Sequence, residues 1–260
     1  LICKEIKKYV TVVLSGDGGD EVFGGYSRYI WANHFLKFKK IFGTNVSDIL
    51  SKLINLFPDY FYDFLSGIFP ASLRPADFGH RIKKIAKILN SHSEDEIYFK
   101  LISNSGLNNL MKKDILKDEQ KLFHERVKNY SLTEKMQLHD LQNYLIGDIL
   151  VKVDRASMFN SMEVRSPFLD KRILEYTLKN LRVFHKIDKN KGKLVSRSIL
   201  NDYLPKKYFD RPKMGFALPV DALLKNQLKE TITYYFSHSY IKDQNIFDKK
   251  RIDNFFYNYF

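Results

Sequence analysis

The sequence predicts a predominantly α-helical fragment of an α/β domain, with one clear parallel-type strand followed by a helical bundle, on three observations. Val10 to Leu14 is a β-branched apolar run that ends in a glycine-rich turn, the signature of a strand in a parallel sheet. From about Ser27 onward apolar residues recur every three or four positions, as a helix requires. One strand cannot make a sheet, so its partners are expected in sequence before residue 1. Leu1 runs directly into Ile2-Cys3-Lys4, which reads as the inside of a helix, and residues 1–260 are expected to be the carboxyl-proximal portion of a longer domain, truncated at both ends.

Taken in order, Val10–Leu14 reads as buried on both faces. The next helices carry Ile49, Leu53 and Leu56, then Ile82, Ile85 and Leu89, then Leu138, Leu141, Leu145, Ile149 and Val153. In the last of them Asp148 can pair with Lys152 one turn on. Glu163-Val-Arg165-Ser-Pro167 reads as a loop in which proline fixes the turn. Pro58, Pro70, Pro75, Pro167, Pro205, Pro212 and Pro219 fall between helices, where a missing N–H does least harm. The aromatic run Phe255 to Phe260 would be adhesive if exposed.

Composition narrows the function. The formal charge is +13, but 32 lysines stand against 11 arginines, whereas base and phosphate recognition favours arginine. A dispersed basic surface is therefore expected, with no nucleic-acid partner. No run is long and apolar enough to span a membrane and no secretory leader is visible, so the expected compartment is the cytoplasm. The single cysteine, Cys3, excludes an internal disulfide and a multi-thiolate zinc site, and is expected to be a small buried apolar residue.

The chemistry concentrates after the strand, in Ser15-Gly16-Asp17-Gly18-Gly19-Asp20-Glu21. Glycines at the carboxyl end of a parallel strand let backbone N–H groups approach an anion or a planar base. Asp17, Asp20 and Glu21 would repel one another unless a cation lies among them, and magnesium on phosphate oxygens is one answer. An acidic turn capping the next helix is the other. Lys193 and Arg197, four apart, share one face of a helix, where an anion such as phosphate would relieve their repulsion.

Three blocks carry a resemblance. Leu14 to Tyr26 (LSGDGGDEVFGGY), then Lys152, Asp154, Arg155, Ser157, Met158, Glu163, Arg165 and Pro167–Asp170, then Lys193, Arg197, Leu204, Pro205, Arg211, Lys213–Phe216 and Pro219, occur in order. Together they resemble the synthetase domain of the glutamine-dependent asparagine synthetases, over roughly residues 5–255. The resemblance implies an ATP-pyrophosphatase-type (adenine nucleotide alpha hydrolase-like) α/β domain. It also implies that ATP adenylates the side-chain carboxylate of aspartate, and that glutamine-derived ammonia displaces AMP to give asparagine. On that basis Ser15, Gly16, Asp17, Gly18 and Arg197 contact nucleotide or substrate, with Asp17 toward the substrate ammonium. Asp20 holds magnesium, Lys193 and Asp154 are catalytic, and Glu163 and Arg165 support them.

The departures matter as much. The family's Ser-Gly-Gly-x-Asp-Ser pyrophosphate loop and its amino-terminal glutaminase domain, with a terminal cysteine nucleophile, are both absent from this sequence. Residues 1–260 alone are therefore expected to make no asparagine. Amidation of another carboxylate, such as a sugar acid, and a catalytically silent helical binding module remain as alternatives, and a homodimer is open.

Overall fold

The computed structural model describes residues 1–68, 78–103, 129–210, 220–244 and 246–259. Pro70, Pro75, Pro212, Pro219, Arg211 and Lys213–Phe216 lie outside the described residues. Two compact units appear, one built from residues 1–101 and 127–205 and the other from 102–126 and 206–260.

In the first unit α1 (Ile2–Ile6) leads to β1 (Val12–Leu14), a glycine turn, and α2 (Gly19–Phe23). The chain continues through α3 (Ser27–Leu56), α4 (Asp59–Ser66), α5 (Phe78–Leu89) and α6 (Glu94–Ile102). After α7 (Leu132–His139) comes a wide-turned π-helical segment, Asp140–Leu150, and then α8 (Val151–Met158). β2 (Glu163–Arg165), a 3-10 turn at Pro167–Leu169, α9 (Lys171–Asn180), α10 (Val183–Lys186) and α11 (Leu194–Tyr203) complete it.

β1 finds one partner, β2, within the chain itself. The pair is parallel, with Val12 opposite Glu163, Val13 opposite Val164 and Leu14 opposite Arg165. Glu163-Val-Arg165 is therefore a strand and not a loop. Its three residues lack the length and alternation that would announce a strand, and the pairing with β1 supplies the order that local sequence does not. Nor is β1 buried on both faces. Val13 is partly covered, whereas Leu14 is 73% exposed and Val12 also faces outward, because alternate side chains of a ladder point to opposite sides.

Gly43, at φ +80°, kinks α3, a conformation that only glycine adopts without strain. Beyond the kink, Ile49, Leu53 and Leu56 face outward although the helix forms as expected. The buried face is instead small and polar. Ser47 and Ser51 are buried, and Ser51 Oγ donates to the Ala86 carbonyl of α5 at 2.7 Å. Small residues let the two helices approach, and that leaves the larger apolar face outward. The core proper comprises Val22, Tyr29, Ala32, Phe35, Ile88, Leu89, Ile97, Met136 and Leu145 among others. Cys3 is a free, partly exposed thiol, since α1 buries no residue.

A polar network ties α3 and α6 to the start of the π-helical segment. Asp140, 1% exposed, accepts from Tyr29 Oη at 2.5 Å, Tyr98 Oη at 2.9 Å and Arg28 Nε at 3.1 Å. Arg28 Nη2 lies 2.9 Å away but off the hydrogen-bonding direction, and its guanidinium stacks 3.8 Å over the Tyr26 ring. Asp148 and Lys152 form no ion pair, because the segment carrying Asp148 is wound more widely than an α-helix and the four-residue spacing no longer superposes them.

In the second unit α12 (Val220–Lys225), α13 (Lys229–Tyr235), α14 (His238–Gln244) and α15 (Lys249–Tyr259) follow a 3-10 turn at Lys206–Tyr208. Ile241 and Ile252 form its core with Phe236 and Phe247, and Phe256 stacks on Phe236 at 5.3 Å. Part of the terminal aromatic run is thus packed, while Phe255 is 42% exposed. Among the described residues no helix is long and apolar enough to cross a membrane.

Candidate active site

Three segments far apart in sequence meet at the carboxyl end of β1. The turn after β1 is held to β2 by Ser15 N–H donating to the Arg165 carbonyl at 2.8 Å. Gly18, at φ +83°, then reverses the chain into α2, and a Cβ there would strike the Leu169 side chain. Phe168 packs edge-on against Phe23, with ring centroids 5.5 Å apart. The Pro167–Asp170 block is therefore a wall of the site.

The third segment brings the lysine. Lys193 sits in the left-handed conformation at φ +58°, immediately before α11, with its N–H bonded to the Phe23 carbonyl at 3.2 Å. A non-glycine residue there costs roughly 1–2 kcal/mol, so the surroundings must hold it. That backbone turn returns the side chain toward α2, where Nζ lies 3.1 Å from Asp20 Oδ1. Gly25 makes room, since a Cβ at that position would collide with both Asp20 Oδ1 and Lys193 Cε. Gly192 similarly presses against the Gly24 carbonyl. The glycines of this motif let two backbones and an ion pair meet, and Gly16 alone has open space beside it.

The three carboxylates face different partners. Asp17 Oδ2 accepts from Ser15 Oγ at 2.7 Å, and Ser15 Oγ lies 3.0 Å from Ser166 Oγ. Asp20 faces Lys193. Glu21 is 1% exposed and accepts from Tyr26 Oη at 2.6 Å, and burial raises its pKa above the ordinary carboxyl value. The same burial, with the Glu21 carboxylate beside it, pushes the Tyr26 phenol well above its ordinary value. Gln137 Nε2 donates to the Glu21 carbonyl at 2.7 Å and so fixes α2 from below. Among the described residues no group of three or more His, Cys, Asp or Glu gathers as a metal cage. Asp20 can supply one carboxylate to a magnesium ion that phosphates and water also bind, and the donor set fits that role alone.

Arg197 is not beside Lys193 on a helical face. Lys193 precedes α11 rather than lying in it, and Arg197 Nε donates to the Gly192 carbonyl at 3.0 Å, bracing the turn that presents the lysine. Asp154 lies exposed on α8, and its carboxylate makes no hydrogen bond or ion pair among the described residues. Glu163 and Arg165 pair with each other at 2.6 Å, exposed on β2, and orient nothing else among the described residues. Sequence reasoning missed Ser166, which gives no signal before the β1–β2 pairing is known. It also missed Lys186, 2% exposed, whose Nζ lies 3.5 Å from Gln137 Oε1 and whose pKa burial lowers.

Fold and site define a class, an α/β arrangement in which a glycine turn and a lysine are gathered where open parallel sheets bind ligands. The family model described as asparagine synthase matches residues 1–259, and the chain belongs to the asparagine synthase family. It is 29% identical over 241 residues to asparagine synthetase (glutamine-hydrolyzing) 1 of Bacillus subtilis, covering 89% of this chain and 34% of that protein. It is likewise 29% identical over 232 residues to a Mycobacterium tuberculosis protein named "Putative asparagine synthetase (glutamine-hydrolyzing)", covering 84% of this chain and 31% of that one. The chain thus spans about a third of the length of the curated relatives it matches. No solved structure matches it at comparable significance.

Proposed function

We propose that this chain is the carboxyl-proximal part of an ATP-pyrophosphatase-type synthetase domain that makes an amide from a carboxylate, ATP and ammonia. ATP adenylates the side-chain carboxylate of aspartate, pyrophosphate leaves, and glutamine-derived ammonia displaces AMP to give asparagine. The observation that carries this reading is the convergence of the Ser15–Glu21 turn, the Phe168–Leu169 wall and Lys193 at the end of β1, in a member of the asparagine synthase family.

Roles follow from position. The Ser15-Gly16 backbone faces open space and can lie against the nucleotide, with Gly18 setting the turn. Asp17, steadied by Ser15, receives the substrate ammonium. Lys193 stabilises charge at the phosphoryl group and then at the tetrahedral centre, a preorganised donor held by its backbone turn. Its ion pair with Asp20 is about one-third exposed on each side and worth at most about 1 kcal/mol, so an arriving phosphate can take Asp20's place. Asp20 would be the carboxylate that holds a magnesium ion, which would supply charge neutralisation for the pyrophosphate. Arg197 braces Lys193. Asp154, Glu163 and Arg165 are proposed to act only with the remainder of the domain, and the amino-terminal glutaminase domain would supply ammonia.

The test is pyrophosphate release from ATP by this chain joined to the remaining length found in its relatives, with aspartate and a panel of other acids, sugar acids included. Release stimulated by aspartate and lost in Lys193→Ala is the expected result. Stimulation by another acid alone would replace the acceptor, and no release with any acid would overturn the reading.

A further inference from the structure

A second site lies away from the glycine turn, in a cleft of about 320 Å³ between α3, α5 and α6. Its floor is apolar, formed by Trp31, Phe35, Ile85, Ile88 and Leu101. Its polar lining is Ser27 and the cations Arg28, Arg81 and Lys84, and among the described residues no carboxylate lines it. Arg81 and Lys84 stand three apart on α5, a helix with no acidic residue, so they share one face and repel. Neither makes an ion pair or side-chain hydrogen bond among the described residues. Burial lowers the Lys84 pKa with no anion to oppose it. Arg28 is anchored on Asp140, yet its Nη2 makes no hydrogen bond among the described residues.

An apolar floor edged by Arg81 and Lys84, two cations with no ion pair among the described residues, is complementary to one chemistry. We propose that this cleft binds a small amphipathic carboxylate, its apolar chain or ring on Trp31, Ile85 and Ile88 and its charged head between Arg81 and Lys84. The volume sits at the small end of ordinary ligand pockets, which suits a single chain or ring. The head group relieves the repulsion along α5, while a neutral analogue leaves it in place. The site is independent of the amidation chemistry and stands or falls without it.

Trp31 is the only tryptophan of the chain and is half-exposed in the cleft, so its emission reports occupancy directly. Octanoate, titrated well below its micelle concentration, should shift Trp31 emission saturably, and equilibrium dialysis of labelled octanoate should give the same affinity. Octanamide and octylamine should bind at least tenfold more weakly, and acetate should not compete. The double variant Arg81→Gln/Lys84→Gln, with unchanged circular dichroism, should lose at least tenfold in octanoate affinity. Equal binding of octanoate and octanamide would show a merely apolar patch, and competition by acetate a diffuse anion cloud. Either result, or no binding of octanoate to the unaltered chain by dialysis, overturns the proposal.

Discussion

Replacing Gly25 by alanine should loosen the meeting of Asp20 and Lys193 by steric force alone. Gly25 is not at positive φ, so alanine pays no backbone penalty there. The added Cβ instead meets Asp20 Oδ1 and Lys193 Cε. Lys193 can swing its flexible end away, but the added Cβ also meets Asp20 Cγ, and the Gly25 N–H bond to the Asp20 carbonyl at 2.7 Å keeps the two backbones from separating. Overpacking of this kind costs about 1–3 kcal/mol. The ion pair adds at most about 1 kcal/mol, being part-exposed on both sides. The expected loss is therefore about 1–4 kcal/mol, read as a lower urea midpoint by Trp31 fluorescence and far-UV circular dichroism. Two neighbours bracket it. Gly16→Ala, with nothing within 4 Å, should fall within about 0.5 kcal/mol of the parent. Gly24→Ala, at φ +71° and against Ile187, adds a left-handed penalty of about 1–2 kcal/mol and should be the worst of the three. If Gly25→Ala proved as harmless as Gly16→Ala, Gly25 would not be the packing point between Asp20 and Lys193.

Three further outcomes follow from buried groups. Asp140→Asn removes the charge that Arg28, Tyr29 and Tyr98 surround and should cost about 3–5 kcal/mol in urea unfolding, the range for breaking a buried pair; a change below 1 kcal/mol would contradict that network. Glu21 has a raised folded pKa, so its contribution is present below the unfolded value near 4.5 and is lost as pH rises through the folded pKa. Glu21→Gln keeps an acceptor for Tyr26 and removes that loss, so its stability relative to the parent should climb as pH rises from below 4.5 to neutrality, whereas a flat difference would contradict burial of the charge. Lys186 has a lowered folded pKa, so its contribution is present above about 10.5 and is lost as pH falls through the folded pKa. Lys186→Met should accordingly stabilise at neutral pH and lose that advantage above pH 10.5, and a destabilised variant at pH 7 would show that its contact with Gln137 dominates.

Much of the fold was legible because its signals are local. The β1 strand and its glycine turn, the helices of the periodic segments and the placement of Pro58 and Pro167 at element starts all follow from neighbouring residues. β2 was hidden because three residues of pairing leave no periodicity, and its order comes from β1, some 150 residues earlier in sequence. The outward face of Ile49, Leu53 and Leu56 was misread for a related reason, since periodicity shows that a helix has faces but not which one its neighbour covers. Of the candidate site, Asp20 and Lys193 were singled out separately, and the structure brings them together. Arg197 was placed beside Lys193 by helical spacing, a spacing that fails when the lysine itself starts the helix in a left-handed turn. Asp17, Asp20 and Glu21 looked like one charge cluster, yet each found a different partner, because Asp17 lies in the glycine turn while Asp20 and Glu21 are adjacent on α2 and so point in different directions.

The most direct test of acyl-adenylation follows oxygen. Aspartate carrying oxygen-18 in its side-chain carboxylate is supplied with ATP and ammonia to this chain joined to the remaining length of its relatives, and the products are analysed by mass. Attack of the carboxylate on the α-phosphorus followed by ammonia displacement leaves one labelled oxygen in AMP, and Lys193→Ala should abolish that label. Label appearing in inorganic phosphate, or unlabelled AMP formed alongside asparagine, would contradict the adenylate and with it the roles assigned to Asp20 and Lys193.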